Sequence, residues 1–243
     1  MSQLHIHSSI ICMINDPLYI DIHTHQKAND STIAVVVGKH VLGLHPWDLS
    51  HDLTLDQLRQ RFDLLQNKGM LAVGECGLDR KRAGIHLIED QIQVFSWHIE
   101  LAQKLHKPLI VHCVHAQSDL LAVLKKYKFS GTILLHDLSG NAQSLEQFKN
   151  YNAYFSFGAR LFKEDKKREE FLKLVPLHKL FLETDDQSQY SIEEIYQKAS
   201  ELLNISQTDF CNQIEKNLKN FFGYTDDVST ADIIKDFTMS RIV

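Results

Sequence analysis

Cysteine is scarce in this chain and scattered. The four residues Cys12, Cys76, Cys113 and Cys211 in 243 show no C-x-x-C spacing. That excludes a zinc knuckle and a small disulfide framework, and it suits a reducing compartment. Long apolar runs are missing too. None reaches membrane-spanning length, and Ile10–Met13 is short and lacks the basic flank of a signal peptide. There is no basic excess: 26 Lys and Arg face 31 Asp and Glu, for a formal charge of −5 and a pI near 6.3. This argues against a broad nonspecific nucleic-acid coat. It leaves room for a local phosphate-binding cleft, because bound cations dominate the field around them. Low-complexity segments and repeats of roughly 20–50 residues are likewise absent.

What remains is an ordinary globular composition, 44% hydrophobic and 23% charged, long enough for one large domain. The expected organisation is a lead-in over residues 1–17, with Met13 as an alternative start, one domain over 18–223, and a tail over 224–243 with no assigned structure. A cytoplasmic monomer without a membrane segment is expected.

The densest chemical signal is Tyr19–Ile20–Asp21–Ile22–His23–Thr24–His25. Apolar-leaning residues run into Asp-x-His-x-His with no Pro or Gly between them, as in a short buried strand. Residues two apart on a strand share a face, so His23 and His25 point together. Paired neutral imidazoles make half of a divalent-metal site. Two structural histidines satisfied by backbone carbonyls would read the same way, so the decision rests on the strands downstream.

Those strands recur with a regular grammar: short apolar run, polar loop, helix. Ile33–Val37 and Val41–Leu44 lead to His45–Pro46–Trp47, where the proline ends regular structure. A helix is expected over Ser50–Asn67. Met70–Val73 reads as a strand, followed by Gly74–Glu75–Cys76–Gly77–Leu78–Asp79, whose two glycines permit close backbone approach around a carboxylate. Ile88–Leu105 reads as an amphipathic helix, whose Phe95 and Trp97 fit core packing better than a base-stacking platform.

Leu109–Val111 ends at His112, and Thr132–Leu135 ends at His136. A strand over Ala153–Phe157 follows, then Lys179–Leu182 ends in Glu183–Thr184–Asp185–Asp186. Further helices are expected over Asp119–Tyr127, Ala142–Lys149, Glu164–Leu174, Ser191–Leu203 and Thr208–Phe222, with Asp186 as a cap for the helix after the last strand. Alternating strands and helices imply right-handed βαβ units, and seven or eight of them imply a closed (β/α) barrel with its active site at the C-terminal strand ends. His23, His25, His45, Glu75, His112, His136 and Asp185 would all ring that mouth. Cys76 and Cys113 alternate off the ligand positions and read as buried small residues. The other histidines fit no strand-end pattern.

In this order the motifs resemble those of the TatD-type metal-dependent hydrolases, a branch of the amidohydrolase-like barrels. The matching pieces are Asp21–His25, Gly43–Leu44–His45–Pro46, Gly74–Asp79, Pro108–His112, His136 with Gly140, and Leu182–Asp185, spread over residues 19 to 185. The resemblance implies a deformed TIM barrel, two divalent metal ions (Zn²⁺, Mn²⁺, Fe²⁺ or Mg²⁺) and hydrolysis of phosphodiesters, with DNA as the usual substrate. By position, it implies that His23, His25 and Asp185 hold one metal, His112 and His136 the other, and Glu75 bridges them. The chain also departs from the pattern. Val114 stands where longer members carry Arg, with His115 as the nearest replacement cation. Leu138 stands where the family favours Phe, and the loop Gln26–Thr32 is short.

Four neutral imidazoles and two carboxylates would leave a net positive pocket around two divalent ions. In this reading Asp185 ligates and accepts a proton from an acidified water, Glu75 fixes the spacing, and Asp21 orients a ligand histidine. His45 reads as a phosphate contact or a structural turn, and His115 as a second phosphate contact. The resulting expectation is a nuclease or phosphodiesterase acting on single-stranded DNA ends. The alternatives are a hydrolase of a small phosphoester, lactone or amide, and a metal-binding scaffold without catalysis.

Overall fold

A computed structural model describes residues 18–26, 32–49, 52–65, 69–82, 87–163, 165–187 and 189–239. The expected lead-in over 1–17, the stop at Lys68 and the end of the tail lie outside these residues. Eight strands run in chain order: β1 Tyr19–Thr24, β2 Thr32–Val36, β3 Val41–Leu42, β4 Ala72–Asp79, β5 Leu109–Val114, β6 Thr132–Leu135, β7 Asn152–Phe157 and β8 Leu180–Leu182. Every pairing between them is parallel. Strands such as Leu109–Ile110–Val111 are apolar on both faces because helices cover one side and neighbouring barrel strands fill the other.

The helices are α1 Leu55–Leu65, α2 Leu87–Leu105, α3 Gln117–Lys126, α4 Ala142–Phe148, α5 Lys166–Leu174, α6 Ile192–Leu203, α7 Gln207–Phe222 and α8 Thr230–Met239. The barrel is deformed, and its ladder is not continuous. β1 and β2 form one sheet, β3 to β8 a six-stranded second, and only isolated bridges join them, at Thr24–Asp185 and Val37–Val41. The closed barrel expected from the alternation is therefore corrected to a parallel sheet of six with a separate pair. The seams fall where the strands are shortest, since β3 has two residues and β8 three. At the β1–β8 seam the His25 amide donates to the Asp185 carbonyl at 3.1 Å, and the Asp185 amide to the His23 carbonyl at 2.9 Å. Those two hydrogen bonds bring two predicted ligand segments together. β2 passes to β3 through the turn at Gly38–His40 instead of a helix.

Several element ends differ from expectation for local reasons. β4 continues through Asp79 because, after a register shift between Val73 and Cys76, it pairs with β5 from Cys76–Val111 to Asp79–Val114. Glu75 thus sits within a strand, and so does His112. The close pairing needs Gly77: its φ is +137°, and a Cβ there would lie 2.0 Å from the His112 carbonyl oxygen. α1 starts at Leu55, not Ser50, because Thr54 and Gln57 cap its N-terminus reciprocally, with Thr54 N donating to Gln57 Oε1 at 2.9 Å. α6 is capped by Ser191, which exchanges hydrogen bonds with Glu194, so Asp186 is not its cap. The tail left unassigned contains α8, whose Phe237 packs on His40.

The main core lies between barrel and helices, with a smaller buried cluster of Leu49, Leu58 and Val94 beside it. Tyr196 of α6 is fully buried, and its hydroxyl donates to the Ile20 carbonyl while accepting from the Ile20 amide, both at 3.1 Å. This pins β1 just ahead of its histidines. No helix among the described residues is long and apolar enough to cross a membrane.

Candidate metal centre

Glu75 is the hub. Its carboxylate is 4% exposed and faces five imidazoles that arrive from four separate segments. Oε2 lies 3.2 Å from His23 Nε2 and 3.4 Å from His25 Nε2. Oε1 lies 2.7 Å from His136 Nε2, 3.1 Å from His45 Nε2 and 3.3 Å from His112 Nδ1. Asp185 Oδ1 joins the first set, 3.4 Å from His23 Nε2 and 3.6 Å from His25 Nε2. The structure therefore brings together all six residues expected to ligate metal, and Glu75 divides their imidazoles into two sets.

The two sets differ in access. His23, His112 and His136 are buried, whereas the His25 side chain is 43% exposed at the rim. The Asp185 side chain is 29% exposed, and its backbone has a left-handed φ of +54°. That φ is uncommon for a non-glycine residue, and such conformations cluster at functional sites. A cavity of about 600 Å³ opens on the centre, lined by His25, His45, Glu75, His112, His136 and Asp185.

Without cations, protons have to balance this cluster. Burial drives the His23 imidazole toward neutrality, and so does nearby His136. The carboxylates of Glu75 and Asp185 outweigh both and raise its pKa to about 9. His136 is likewise pushed well above its ordinary value, against burial, by Glu75 and Glu183. For Glu75, burial works upward, but the surrounding imidazoles hold its pKa well below the usual carboxylate range. Asp185 is also lowered: burial opposes this, while the close His23 imidazole, 3.4 Å away, and the charge of His136 carry it.

The donor set fits divalent cations. Both ring nitrogens of His23 are buried without a well-formed hydrogen bond, an expensive arrangement unless something else takes up the ring's lone pair. Ligand atoms of His23, His25 and Asp185, and of His45, Glu75 and His112, each lie within 4.8 Å of one another. His23, Glu75 and His136 form a third such group. Imidazole and carboxylate are the donors that zinc, manganese and iron accept.

His45, expected as a phosphate contact or a turn, stands among the ligand atoms themselves. The strand expected to run to Leu44 ends at Leu42, and His45, just ahead of Pro46, caps the short 3-10 turn Pro46–Asp48, with its Nε2 3.1 Å from Glu75. Its neighbour Leu44 is held from behind by His98. That fully buried imidazole accepts from Leu44 N at 2.8 Å and bonds Val94 O at 2.8 Å through Nδ1. His115 does not reach the centre. It is exposed, with a φ of +53°, and lines a neighbouring cavity instead. Asp21 does not orient a ring: its carboxylate accepts from Thr184 N at 3.0 Å and Thr184 Oγ1 at 2.6 Å, tying β1 to the end of β8.

The orienting role falls to two carboxylates that the sequence reading assigned nothing. Asp79 Oδ2 lies 3.3 Å from His112 Nε2, the nitrogen facing away from Glu75, and accepts from Trp47 Nε1 at 2.7 Å. Glu183 is fully buried, with Oε1 3.6 Å from His136 Nδ1 and Oε2 accepting from Ser156. Partners of this kind set the tautomer and direction of a ligating histidine. The available signal was position: Asp79 lies four residues beyond Glu75 on one strand, and Glu183 two before Asp185. Cys76 and Cys113 are buried, with thiols that burial raises, as expected of packing residues.

Known proteins carry the same frame. In Escherichia coli K12, the uncharacterized metal-dependent hydrolase YcfH is 30% identical over 145 residues, 59% of this chain and 53% of that protein. A 3'-5' ssDNA/RNA exonuclease TatD of Citrobacter koseri is 27% identical over 171 residues, 68% of this chain and 64% of that one. This chain's matches thus span between about half and two thirds of these curated relatives. The crystal structure of YJJV, a TATD homolog from Escherichia coli K12, superimposes with a TM-score of 0.68 at 21% identity, covering 85% of this chain and 98% of that one, and shows the shared fold. The TatD related DNase family model matches residues 18–223, which takes in every residue of the centre, and the chain belongs to that family.

Proposed function

We propose that this chain hydrolyses phosphodiester bonds at the ends of single-stranded nucleic acid, using two divalent cations held on either side of Glu75. The observation that carries this reading is the division of imidazoles between the two Glu75 oxygens, His23 and His25 on one and His45, His112 and His136 on the other. One carboxylate with a ligand set at each oxygen is the geometry that a bridged cation pair requires. The nuclease named for the Citrobacter relative supports the choice of substrate.

Bound there, two cations would supply Lewis acidity, acidify water and clamp the attacking and leaving oxygens of an in-line displacement. Five neutral imidazoles and two carboxylates balance only half of their charge, so the pocket attracts a phosphodiester despite the acidic chain. The chain's own contribution is positional. Asp79 and Glu183 hold His112 and His136 in direction, and the β1–β8 bridge holds His23 against Asp185. Asp185 accepts the proton of the attacking water. It is the more exposed of the two central carboxylates, 29% against 4%, and its lowered pKa keeps it ionised at neutral pH. The imidazole-rich set favours Zn²⁺, Mn²⁺ or Fe²⁺ over Mg²⁺.

The test is hydrolysis of 5′- and 3′-labelled single-stranded DNA oligonucleotides, with Mg²⁺, Mn²⁺ or Zn²⁺ restored after chelation, beside Asp185→Asn. Metal-dependent shortening from one end, reduced at least about a hundredfold in the variant, is the expected result. Two bound cations per chain with both labels left intact would remove single-stranded DNA as the substrate.

A further inference from the structure

Beside the metal centre lies a larger cavity of about 1030 Å³, walled by Trp47, Arg80, Lys81, Arg82, His115 and Arg160. None of the centre's ligands lines it. It meets the central cavity at Trp47, which lines both. This volume is at the upper end of small-molecule pockets, roughly 300–1,000 Å³.

Trp47 is built as a platform. It is 46% exposed, a high value for a large apolar side chain. Its orientation is nevertheless fixed, because Nε1 donates to Asp79 Oδ2 at 2.7 Å. Its ring meets the centre in two T-shaped contacts, with centroids 4.8 Å from His45 and 5.5 Å from His112. The Arg82 guanidinium covers the face of the ring, 3.6 Å from the centroid.

The cations around the platform differ in their commitments. Arg80 is bound at two points by Asp119, at 2.6 and 2.8 Å, and Arg160 by Asp137 at 2.9 Å. Among the described residues, Lys81 and Arg82 have no carboxylate partner within ion-pair distance. Both are exposed on the turn after β4. Arg82 is therefore a removable cover over a fixed aromatic face, and once lifted it is free to meet a phosphate.

We propose that Trp47 and Arg82 form the subsite for the nucleotide next to the scissile phosphate: the base stacks on Trp47 in place of Arg82, and the released guanidinium takes the adjoining phosphate. This deepens the nuclease reading and rests on it. A phosphodiester at the centre lies beside Trp47, which lines both cavities, so an attached base is within reach of that ring. A base stacked on an aromatic side chain improves binding by about tenfold or more, which exceeds an exposed cation–ring contact. The exchange favours the base and keeps the cation useful. Stacking accepts any base, so the subsite recognises a single strand and not a sequence.

The test uses tetrathymidylate and the same strand with one base removed at each position in turn. Tryptophan fluorescence is titrated first with chelated protein, which binds without turnover. Quenching is expected in the wild type and in Trp97→Phe, and its loss in Trp47→Phe. With metal restored, base removal beside the cleaved bond should raise KM about tenfold in the wild type and hardly further in Trp47→Leu. Trp47→Phe should recover most of that sensitivity, and Arg82→Gln should raise KM without abolishing the quench. Absence of quenching, together with equal cost of base removal in wild type and Trp47→Leu, overturns the subsite and leaves the nuclease reading standing if the strand is still cleaved. Quenching at Trp47 with no cleavage under any metal keeps the subsite and overturns the nuclease reading. Neither quenching nor cleavage overturns both.

Discussion

His98→Gln tests whether the centre depends on a histidine that touches neither metal nor substrate. His98 has no solvent exposure and packs against Phe62, with ring centroids 4.7 Å apart. Its Nε2 must be unprotonated to accept from Leu44 N, next to His45. Burial, the largest influence, lowers its pKa from 6.5 to about 4, although the Val94 carbonyl works the other way. The unfolded chain therefore binds a proton between pH 6.5 and 4 that the folded chain refuses. Stability from this group is complete above pH 6.5 and is lost as pH falls toward 4. From pH 7.5 to 5.0 the loss is about 2 kcal/mol, at roughly 1.4 kcal/mol per pH unit below 6.5. Gln places a non-titrating acceptor near Nε2, so the variant should escape that loss while other titrating groups cancel in the comparison. Thermal melts of chelated protein at the two pH values are the assay. The wild-type Tm should fall further than the variant's by about 4–8 °C. Equal falls would refute the reasoning and mean that His98 is protonated in the folded protein, with Leu44 held by something else.

Four further outcomes are expected. Glu75→Gln keeps the shape but removes the shared charge, so metal analysis after dialysis should drop from about two ions per chain to one or none; two retained ions would remove Glu75 as the bridge. Asp79→Asn should weaken uptake of one cation by about 10–100-fold in a metal titration, and unchanged uptake would show that His112 needs no support. Gly77→Ala drives a Cβ to within 2.0 Å of the His112 carbonyl and should lower Tm by roughly 5 °C or more, whereas an unchanged Tm would falsify the close β4–β5 approach. Because the His23 pKa is raised to about 9, cation uptake at pH 7.5 must displace its proton. Calorimetry in buffers of differing ionisation enthalpy should then show proton release, with affinity rising toward pH 9. Buffer-independent heats would contradict it.

The ligand positions were legible because local rules produce them. Alternation on a strand puts His23 beside His25, a proline fixes the turn after His45, and β-to-α punctuation marks the ends at His136 and Asp185. Elements whose caps are written in adjacent residues could be read to within a residue or two, as with Ser191 before α6 and Gly223 after α7. Where a boundary depended on a partner strand, the reading stopped short. β4 and β5 both run on past their expected ends because they pair with each other beyond a register shift.

The sequence by itself determined the fold class, the run of strands and helices through α7, and the seven side chains at one mouth, since periodicity and residue type need no knowledge of neighbours in space; the choice of six of them as ligands came from the family resemblance. Only the tertiary structure decided that the barrel is split into two sheets, that Glu75 faces a different imidazole set with each oxygen, and that His45 reaches Glu75 directly. It alone assigned Asp79 and Glu183 their histidines, sent Asp21 to Thr184, and stacked Arg82 on Trp47. All of these are contacts across strand seams or between loops that follow different strands. The chain specifies which groups reach the mouth, and packing specifies which of them touch.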